Sequence, residues 1–274
     1  ILSFKVGAHA EMIDLILFYR TRDSTPDWNQ LSDFNDYTAL LRAYAQAKYS
    51  LNENVSINGG LHIQRLALNG STSVEPRAGL KYKITGNSSL SAGYGLHSQM
   101  QPVDIYFLRT PNVAGDYEQT NQNLDFTRSQ HFVAGYEVTP AQDWRAKIEV
   151  YYQKLSQAPV TDSVSSFSIL NAGASFDPIE AGNLKNNGSG RNLGTELTIE
   201  KFFSKGYYTL LTGTLYDSKY KGSDGVERNT AFNGRYVYNI LAGKEFKAGN
   251  RGRNLLTLDL KMTRAGGRYY TPVD

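Results

Sequence analysis

Cysteine is absent from this chain of 274 residues, and its absence excludes both a disulfide framework and a thiolate metal site. Long apolar runs are also missing. The longest candidate, residues 12–19, is interrupted by Asp14 and falls well short of the ~20 residues that a membrane-spanning helix needs. A membrane-spanning β-strand needs only ~9–11 residues, of which every second one is apolar. The sequence therefore excludes a helical membrane protein and leaves a β-barrel open.

A strong excess of charge of one sign is missing as well. The formal net charge is +3, from 29 Lys and Arg against 26 Asp and Glu. A balance this even gives no reason to expect a nucleic-acid partner. No phosphate-binding loop or other cofactor motif is present, so we expect no cofactor. Tyrosine is abundant, with 19 copies, and it is favoured both in β-strands and at membrane–water interfaces.

Residues 90–99, LSAGYGLHSQ, have the alternation of a strand with two different faces. The apolar side chains share one side of an extended chain: Leu90, Ala92, Tyr94 and Leu96. The other side carries small or polar residues, ending with His97. In a soluble sandwich the apolar face points into a core, whereas in an outer-membrane barrel it faces lipid and the polar face lines the lumen.

Ten segments from residue 37 onward repeat this alternation. They cover residues 37–51, 55–64, 76–84, 90–99, 131–138, 144–153, 193–203, 207–216, 232–246 and 254–263. Their polar faces carry charges in mid-strand, such as Lys147 and Lys261. A buried core would be strongly destabilised by such charges, so we expect the polar face to be wet and the apolar face to contact lipid.

The connections between these segments alternate between short and long. The long ones cover about residues 99–127, 156–190 and 221–231. In an up-and-down meander every second connection lies at the same end, so one end has tight turns and the other has long loops, as in outer-membrane barrels. A Greek-key sandwich gives no such alternation. The sequence predicts an all-β fold, an antiparallel up-and-down outer-membrane β-barrel segment. The Gly- and Asn-rich residues 182–194 are predicted to be a flexible extracellular loop.

Four separated blocks resemble the barrel of TonB-dependent outer-membrane receptors. They are residues 74–84, 90–102, 187–246 and 265–274. The similarity extends from about residue 37 to residue 274 and is greatest to the branch with a carboxypeptidase-regulatory-like N-terminal domain. It implies a 22-stranded barrel that is closed by a plug. This chain would hold ten of those strands, or twelve if residues 2–9 and residues 12–19 each form a strand. We therefore assign residues 37–274 to the barrel and residues 1–36 to N-terminal strands and a loop of the same barrel.

The resemblance implies a transporter in the outer membrane and no enzyme activity. A scarce nutrient of the siderophore, glycan or peptide type would bind outside, and the TonB complex would pull the plug to admit it. The chain departs from the family pattern because plug, TonB box and terminal aromatic residue are absent. We therefore expect a central slice of a longer receptor, whose partners are outer-membrane lipid, the nutrient ligand and the TonB complex acting through the missing plug.

Ligand-binding residues are expected in the loops and the upper lumen. Aromatic, amide and Arg side chains can anchor sugars, peptides or chelates. The predicted set is His97, Gln99, Gln101, Tyr106, Phe107, Arg109, Arg145 and Glu149. An equally acceptable interpretation is that the residues of this set in the 99–127 stretch only pack that loop against its neighbours.

The residues on the predicted lumen face raise two other chemistries, a metal site and a glycosidase. Three histidines, His62, His97 and His131, share the predicted lumen face, but no metal-ligand spacing connects them and no metal is expected. Glu149 and Glu196 share that face too, and charges lining a wet lumen explain them more simply than a glycosidase does. Two alternatives to the receptor stay open: a secreted, soluble all-β glycan-binding protein, and a complete small porin with twelve strands.

Overall fold

The computed structural model describes residues 1–22, 28–111, 114, 116–173, 179–250 and 253–269. Eleven long strands form one sheet, with these bounds: β1 Leu2–Thr21, β2 Asn29–Ser50, β3 Val55–Leu66, β4 Thr72–Thr85, β5 Ser88–Gln99, β8 Thr127–Ala141, β9 Trp144–Thr161, β10 Leu184–Ser204, β11 Tyr207–Lys221, β13 Tyr236–Ala248 and β14 Asn254–Ala265. The short elements lie in the connections: helix α1 Val103–Tyr106, strands β6 Thr110–Pro111, β7 Tyr117–Glu118 and β12 Glu227–Asn229, and a 3₁₀ turn at Ile169–Asn171. None of the described helices is long and apolar enough to cross a membrane.

The long strands follow one another across the sheet in chain order, and every neighbouring pair is antiparallel. This up-and-down meander confirms the predicted fold class, and all ten predicted strands are present. Within the described residues the first and last long strands are not paired with each other, so the sheet is an open segment of a barrel wall.

The N-terminal strands differ from the sequence-based expectation. Residues 2–9 and 12–19 were considered as two strands, but both lie within β1, which pairs with β2 along its whole length. Asp14 does not interrupt this strand, because it keeps its register opposite Tyr37 in the β1–β2 pair. β2 begins at Asn29 rather than at residue 37. The assignment of residues 1–36 to N-terminal strands and a loop of the same barrel stays a prediction.

One face of the sheet is apolar and uncovered by protein. The register aligns Leu90 on β5 with Tyr82 on β4 and Tyr136 on β8, and Tyr136 in turn with Ile148 on β9. Leu90 is 45% exposed and Ile148 is 47% exposed. Isolated exposed apolar residues are normal on soluble proteins, but a continuous face of them marks contact with lipid or another apolar surface. We call this the apolar face.

The apolar face has polar boundaries at both ends. On β9 it runs from Trp144 to Tyr152, close to the ~9–11 residues of a membrane-spanning strand, with an aromatic ring at each end. Beside Trp144, the amine of Lys201 donates to the carbonyls of Phe202, Ser204 and Tyr207 at the end of the sheet with tight turns. Beyond Tyr152, Arg191 forms an ion pair with Glu227. These boundaries match the two interfaces of a membrane.

The two ends of the sheet differ as the connection lengths predicted. Tight turns join β2 to β3, β4 to β5, β8 to β9 and β10 to β11, and the two longest connections, between β5 and β8 and between β9 and β10, lie at the opposite end. One loop prediction is wrong: of residues 182–194, those from Leu184 onward belong to β10. The pairing of β10 with β9 shifts register on both sides of Gly188. Glycine is common at such bulges, so the Gly-rich composition that indicated a loop belongs to an irregular part of a strand.

A small hydrophobic core lies at the loop end. Leu40 and Leu66 pair across β2 and β3 and point to the same side as Arg42 and Gln64, the polar face. The loop between β5 and β8 packs against them with Ile105, Tyr106 and Phe107. The long loops therefore fold over the polar face instead of projecting freely from the end of the sheet.

Candidate functional site

The polar face carries a network of ion pairs in mid-strand. Arg145 on β9 contacts Glu137 on β8 at 3.0 Å and Glu200 on β10 at 3.3 Å, so it links three neighbouring strands. Lys147 contacts Glu149 at 2.7 Å. All of these side chains are partly exposed, as expected for a face that contacts water. The predicted site residues Arg145 and Glu149 thus lie on the polar face, where both take part in ion pairs of the wall.

A buried carboxylate on β4 was missed by the sequence analysis. Glu75 is 1% exposed, and its carboxylate accepts from the amide of Gln64 at 2.7 Å, the backbone N–H of Ser98 at 3.0 Å and the guanidinium of Arg77 at 2.9 Å. The Nδ1 atom of His62 lies 3.0 Å from the same carboxylate. Glu75 lies just outside the predicted strand, which begins at residue 76, and the register that surrounds it with partners is not visible in one sequence.

The three histidines of the polar face lie on different strands. His62 is on β3, His97 is on β5 and His131 is on β8, where His131 pairs with Gly95. The ring of His131 packs edge-on against Tyr151, with 6.0 Å between ring centroids. Among the described residues no group of three or more His, Asp and Glu side chains is arranged to hold a metal ion. The histidines are polar wall residues, and His97 is open to solvent.

Two aromatic residues of the predicted set are buried in the loop core. Tyr106 and Phe107 are both 0% exposed, and the ring of Phe107 stacks on Phe34 with 3.6 Å between centroids. The Tyr106 hydroxyl accepts the backbone N–H of Gln101 at 3.1 Å, and burial raises the pKa of this phenol. In this arrangement these two side chains hold the loop in place and offer no surface to a ligand.

Gln101 and Arg109 are also tied into this loop. The amide of Gln101 is buried and donates to the Asp125 carbonyl at 2.8 Å. Arg109 donates its backbone N–H to the carbonyl of Leu31, and its guanidinium lies 6.0 Å from the ring of Tyr117. The guanidinium of Arg109 also donates to the carbonyl of Tyr117, and the residue remains partly exposed at the loop end.

A pocket of about 220 Å³ opens where the two longest loops meet the polar face. Gln99 and Gln101 line it together with Met100, Ile169 and Leu170. Pockets with apolar walls and a few fixed polar groups are the usual sites for small organic ligands. The predicted site residues are therefore divided. Gln99 and Gln101 meet at this pocket, which we call the mouth pocket, whereas Arg145 and Glu149 lie nearer the tight-turn end.

The apolar wall of the mouth pocket was missed as well. Ile169 and Leu170 form a short 3₁₀ turn, begun by Ser168, whose hydroxyl accepts the backbone N–H of Leu170. The pattern of a Ser followed by two apolar residues inside a Ser-rich stretch was the available signal. It indicates a local turn but gives no information about which strand the turn packs against.

Comparison with protein-family models places residues 4–274 in the family described as TonB dependent receptor-like, beta-barrel. Comparison with curated proteins gives no match.

Three solved structures show the same fold at low sequence identity. The siderophore receptor PirA from Pseudomonas aeruginosa is 14% identical, with a TM-score of 0.62 over 98% of this chain and 45% of that chain. The alcaligin outer membrane receptor FauA from Bordetella pertussis is 14% identical, with a TM-score of 0.58 over 97% of this chain and 47% of that chain. The outer membrane transporter YddB from Escherichia coli is 12% identical, with a TM-score of 0.57 over 96% and 43%. This chain therefore spans less than half the length of each.

Proposed function

The chain belongs to the TonB-dependent receptor family through its β-barrel domain and is located in the outer membrane, and from this premise we propose that its receptor takes up a scarce nutrient at the expense of inner-membrane energy. The energy would arrive through the TonB complex acting on a plug domain. The nutrient would be of the siderophore, glycan or peptide type. No chemical change to the nutrient is part of this proposal.

The observation that carries the proposal is the division of the sheet into an apolar and a polar face. An uncovered apolar face bounded by aromatic and charged residues suits a wall in lipid. A polar face with partly exposed ion pairs suits a wet lumen. Long loops folded over the polar face suit a receptor that selects its ligand, because they restrict entry at one end of the lumen. A soluble glycan-binding protein has no use for the uncovered apolar face.

We propose that the mouth pocket supplies part of the ligand site through Gln99, and that Arg109, on the same loop but outside the lining of the pocket, adds a second polar contact. The Gln99 side chain is exposed beside the pocket, and Arg109 is partly exposed in the same loop. Two structural relatives are receptors for siderophores or for alcaligin by name, which supports testing chelates first. The low identity to these relatives supports the fold and leaves the nutrient as a proposal.

The test is uptake by cells that produce the complete receptor carrying this barrel. Cells would be given radiolabelled iron bound to a panel of siderophores, and separately labelled oligosaccharides and peptides. We expect saturable accumulation of one class, lost on adding a protonophore or deleting TonB. Accumulation that is unaffected by either treatment would contradict energy-coupled uptake and favour a passive porin.

The contribution of the mouth pocket is tested with matched variants. Gln99→Ala removes an exposed amide at the pocket, and we expect it to weaken ligand binding by about tenfold, as loss of one good polar contact does. Ser91→Ala is the control, because Ser91 lies on the polar face of the same strand away from the mouth pocket. Equal binding by both variants would remove the mouth pocket from the proposal.

A further inference from the structure

The polar face of the first five strands carries an excess of positive charge. Its basic residues are Lys5, Arg42, Lys48, Arg77, Lys81 and Lys83, and its acidic residues are Glu11, Asp36 and Glu75. The regularly paired parts of β8, β9 and β10 show the opposite balance. There the acidic residues are Glu137, Glu149, Glu196 and Glu200, against Arg145 and Lys147. An occupant of the lumen therefore meets positive charge on one side.

Within the described part of the chain, three of these six basic residues have no counter-ion. Arg42 pairs with Glu11, Arg77 with Glu75, and Lys81 with Glu137. In the described ranges no carboxylate lies within ion-pairing distance of Lys5, Lys48 or Lys83. An unpaired lysine on a wet wall is tolerated because water solvates it, but it is also free to bind an anion.

A pocket of about 420 Å³ lies on this basic side. Lys5, His62 and Arg77 line it, together with the polar side chains of Tyr44 and Asn58. It is distinct from the mouth pocket, with which it shares none of these residues. The pocket thus brings three basic side chains from β1, β3 and β4 to one concave surface.

Glycines give this pocket its shape. A Cβ atom on Gly7 would lie 2.6 Å from the ring of Tyr44, and one on Gly79 would lie 2.5 Å from the amide oxygen of Asn58. Tyr44 pairs with Gly7 and Asn58 pairs with Gly79 across neighbouring strands. Both side chains can therefore lie flat against the wall, which leaves the space above them open.

The buried Glu75 orients two of the basic groups. Both of its oxygens are already bonded within the wall, one to Gln64 and the backbone of Ser98, the other to His62 and Arg77. Its contact with His62 uses Nδ1, so Nε2 is the nitrogen left for an occupant of the pocket. Arg77 spends one terminal nitrogen on Glu75 and keeps other N–H donors, and its side chain is 45% exposed.

We infer that this pocket binds a single carboxylate group through Lys5 and Arg77. Because Arg77 already pairs with the Glu75 carboxylate, Lys5 is the cation of the pocket without a counter-charge in the described residues, which matches a monoanion better than a doubly charged phosphate. Arginine suits a carboxylate because two of its parallel N–H groups can meet both oxygens. The carboxylate belongs either to a free ligand in the lumen or to an acidic side chain from another part of the receptor.

This inference deepens the proposed function and rests on it, since the pocket faces a lumen only in the complete barrel. The test uses the complete receptor in detergent and has two arms. The first adds a water-soluble carbodiimide, which joins a lysine amine to a carboxylate in direct contact, and locates the new amide by mass spectrometry. The second measures binding of 4-fluorobenzoate by fluorine NMR. Lys83→Gln is the matched control for Lys5→Gln, because Lys83 is also unpaired on the polar face but lies outside the pocket.

Coupling of Lys5 to an Asp or Glu of the receptor would support the site and assign the carboxylate to the protein itself. Without such coupling, 4-fluorobenzoate binding that falls at least about tenfold in Lys5→Gln and in Arg77→Gln, but not in Lys83→Gln, would support a free ligand. Absence of both results overturns the site. If that receptor still accumulates its nutrient, the proposed function stands and only the carboxylate site is refuted.

Discussion

Leu210 and Leu211 offer a matched test of which face meets lipid. They are adjacent residues of the same type on β11, and their side chains point to opposite faces. Leu211 is 37% exposed and pairs with Ile199 and Ile240, which are apolar. Leu210 pairs with Glu200 on the polar face. Replacing each leucine by lysine therefore introduces the same charge at almost the same depth on opposite sides of the wall.

The two variants should differ in stability by a large factor. A lysine facing lipid near the bilayer midplane costs about 2–4 kcal/mol, which lowers the folding constant by roughly 30- to 1,000-fold. A lysine at position 210 gives up apolar contact worth about 1 kcal/mol. It gains up to about 1 kcal/mol from the cross-strand pair with Glu200. We therefore expect Leu211→Lys to be strongly destabilising and Leu210→Lys to be nearly neutral.

The assay is equilibrium unfolding of the complete receptor in phospholipid vesicles, with guanidinium chloride as denaturant and heat-modifiable migration as the measure of folding. The midpoint of Leu211→Lys should fall clearly below that of the unaltered receptor, while that of Leu210→Lys should stay close to it. Equal losses, or a larger loss at position 210, would refute the assignment of the faces.

Three further predictions concern single side chains. Tyr106→Ala should destabilise the loop core by about 3–5 kcal/mol and speed proteolysis of the loop. Tyr106→Phe removes only the hydroxyl and should cost about 1 kcal/mol. Equal rates of cleavage in the two variants would show that the Tyr106 ring does not hold the loop in place. Glu75→Ala should lower the denaturation midpoint by the equivalent of about 1–3 kcal/mol, because it leaves buried donors without an acceptor; an unchanged midpoint would show that water replaces it. The ion pair with Arg228 lowers the pKa of Asp224. This contact should therefore stabilise the loop between β11 and β12 near neutral pH, and the stabilisation should be lost as the pH falls through the lowered pKa. Asp224→Asn should remove this pH dependence of protease resistance, and a persisting dependence would assign it to another group.

The barrel wall was predictable from sequence because its signal is local. Each strand alternates two kinds of side chain, and the apolar residues from Leu90 to Leu96 follow that rule without exception on their side of the strand. Mid-strand charges such as Lys147 excluded a buried polar face. Strand ends were less predictable, as β2 and β10 illustrate, since both begin earlier than the alternation indicates. In these extensions Phe34 and Leu184 pack against the loop core instead of lipid, so the alternation weakens.

The functional residues were harder to predict because they depend on register and loop packing. Tyr106 and Phe107 have the composition of ligand anchors, yet the same apolar surface buries them against Phe34. Glu75 was invisible because its partners come from β3 and β5. A single sequence contains no information about which residues face each other across strands. The pocket lined by Lys5 and Arg77 could not be predicted for the same reason, because its residues come from different strands.

Single-cysteine labelling would show whether this sheet is the wall of a barrel in the outer membrane. The described chain has no cysteine, so Cys can be placed singly at positions 90, 92 and 96 on one face and 91 and 97 on the other, in the complete receptor in native outer membranes. A water-soluble maleimide should label positions 91 and 97 and leave positions 90, 92 and 96 protected by lipid. Uniform labelling of all five positions, or recovery of the protein in the soluble fraction, would contradict it.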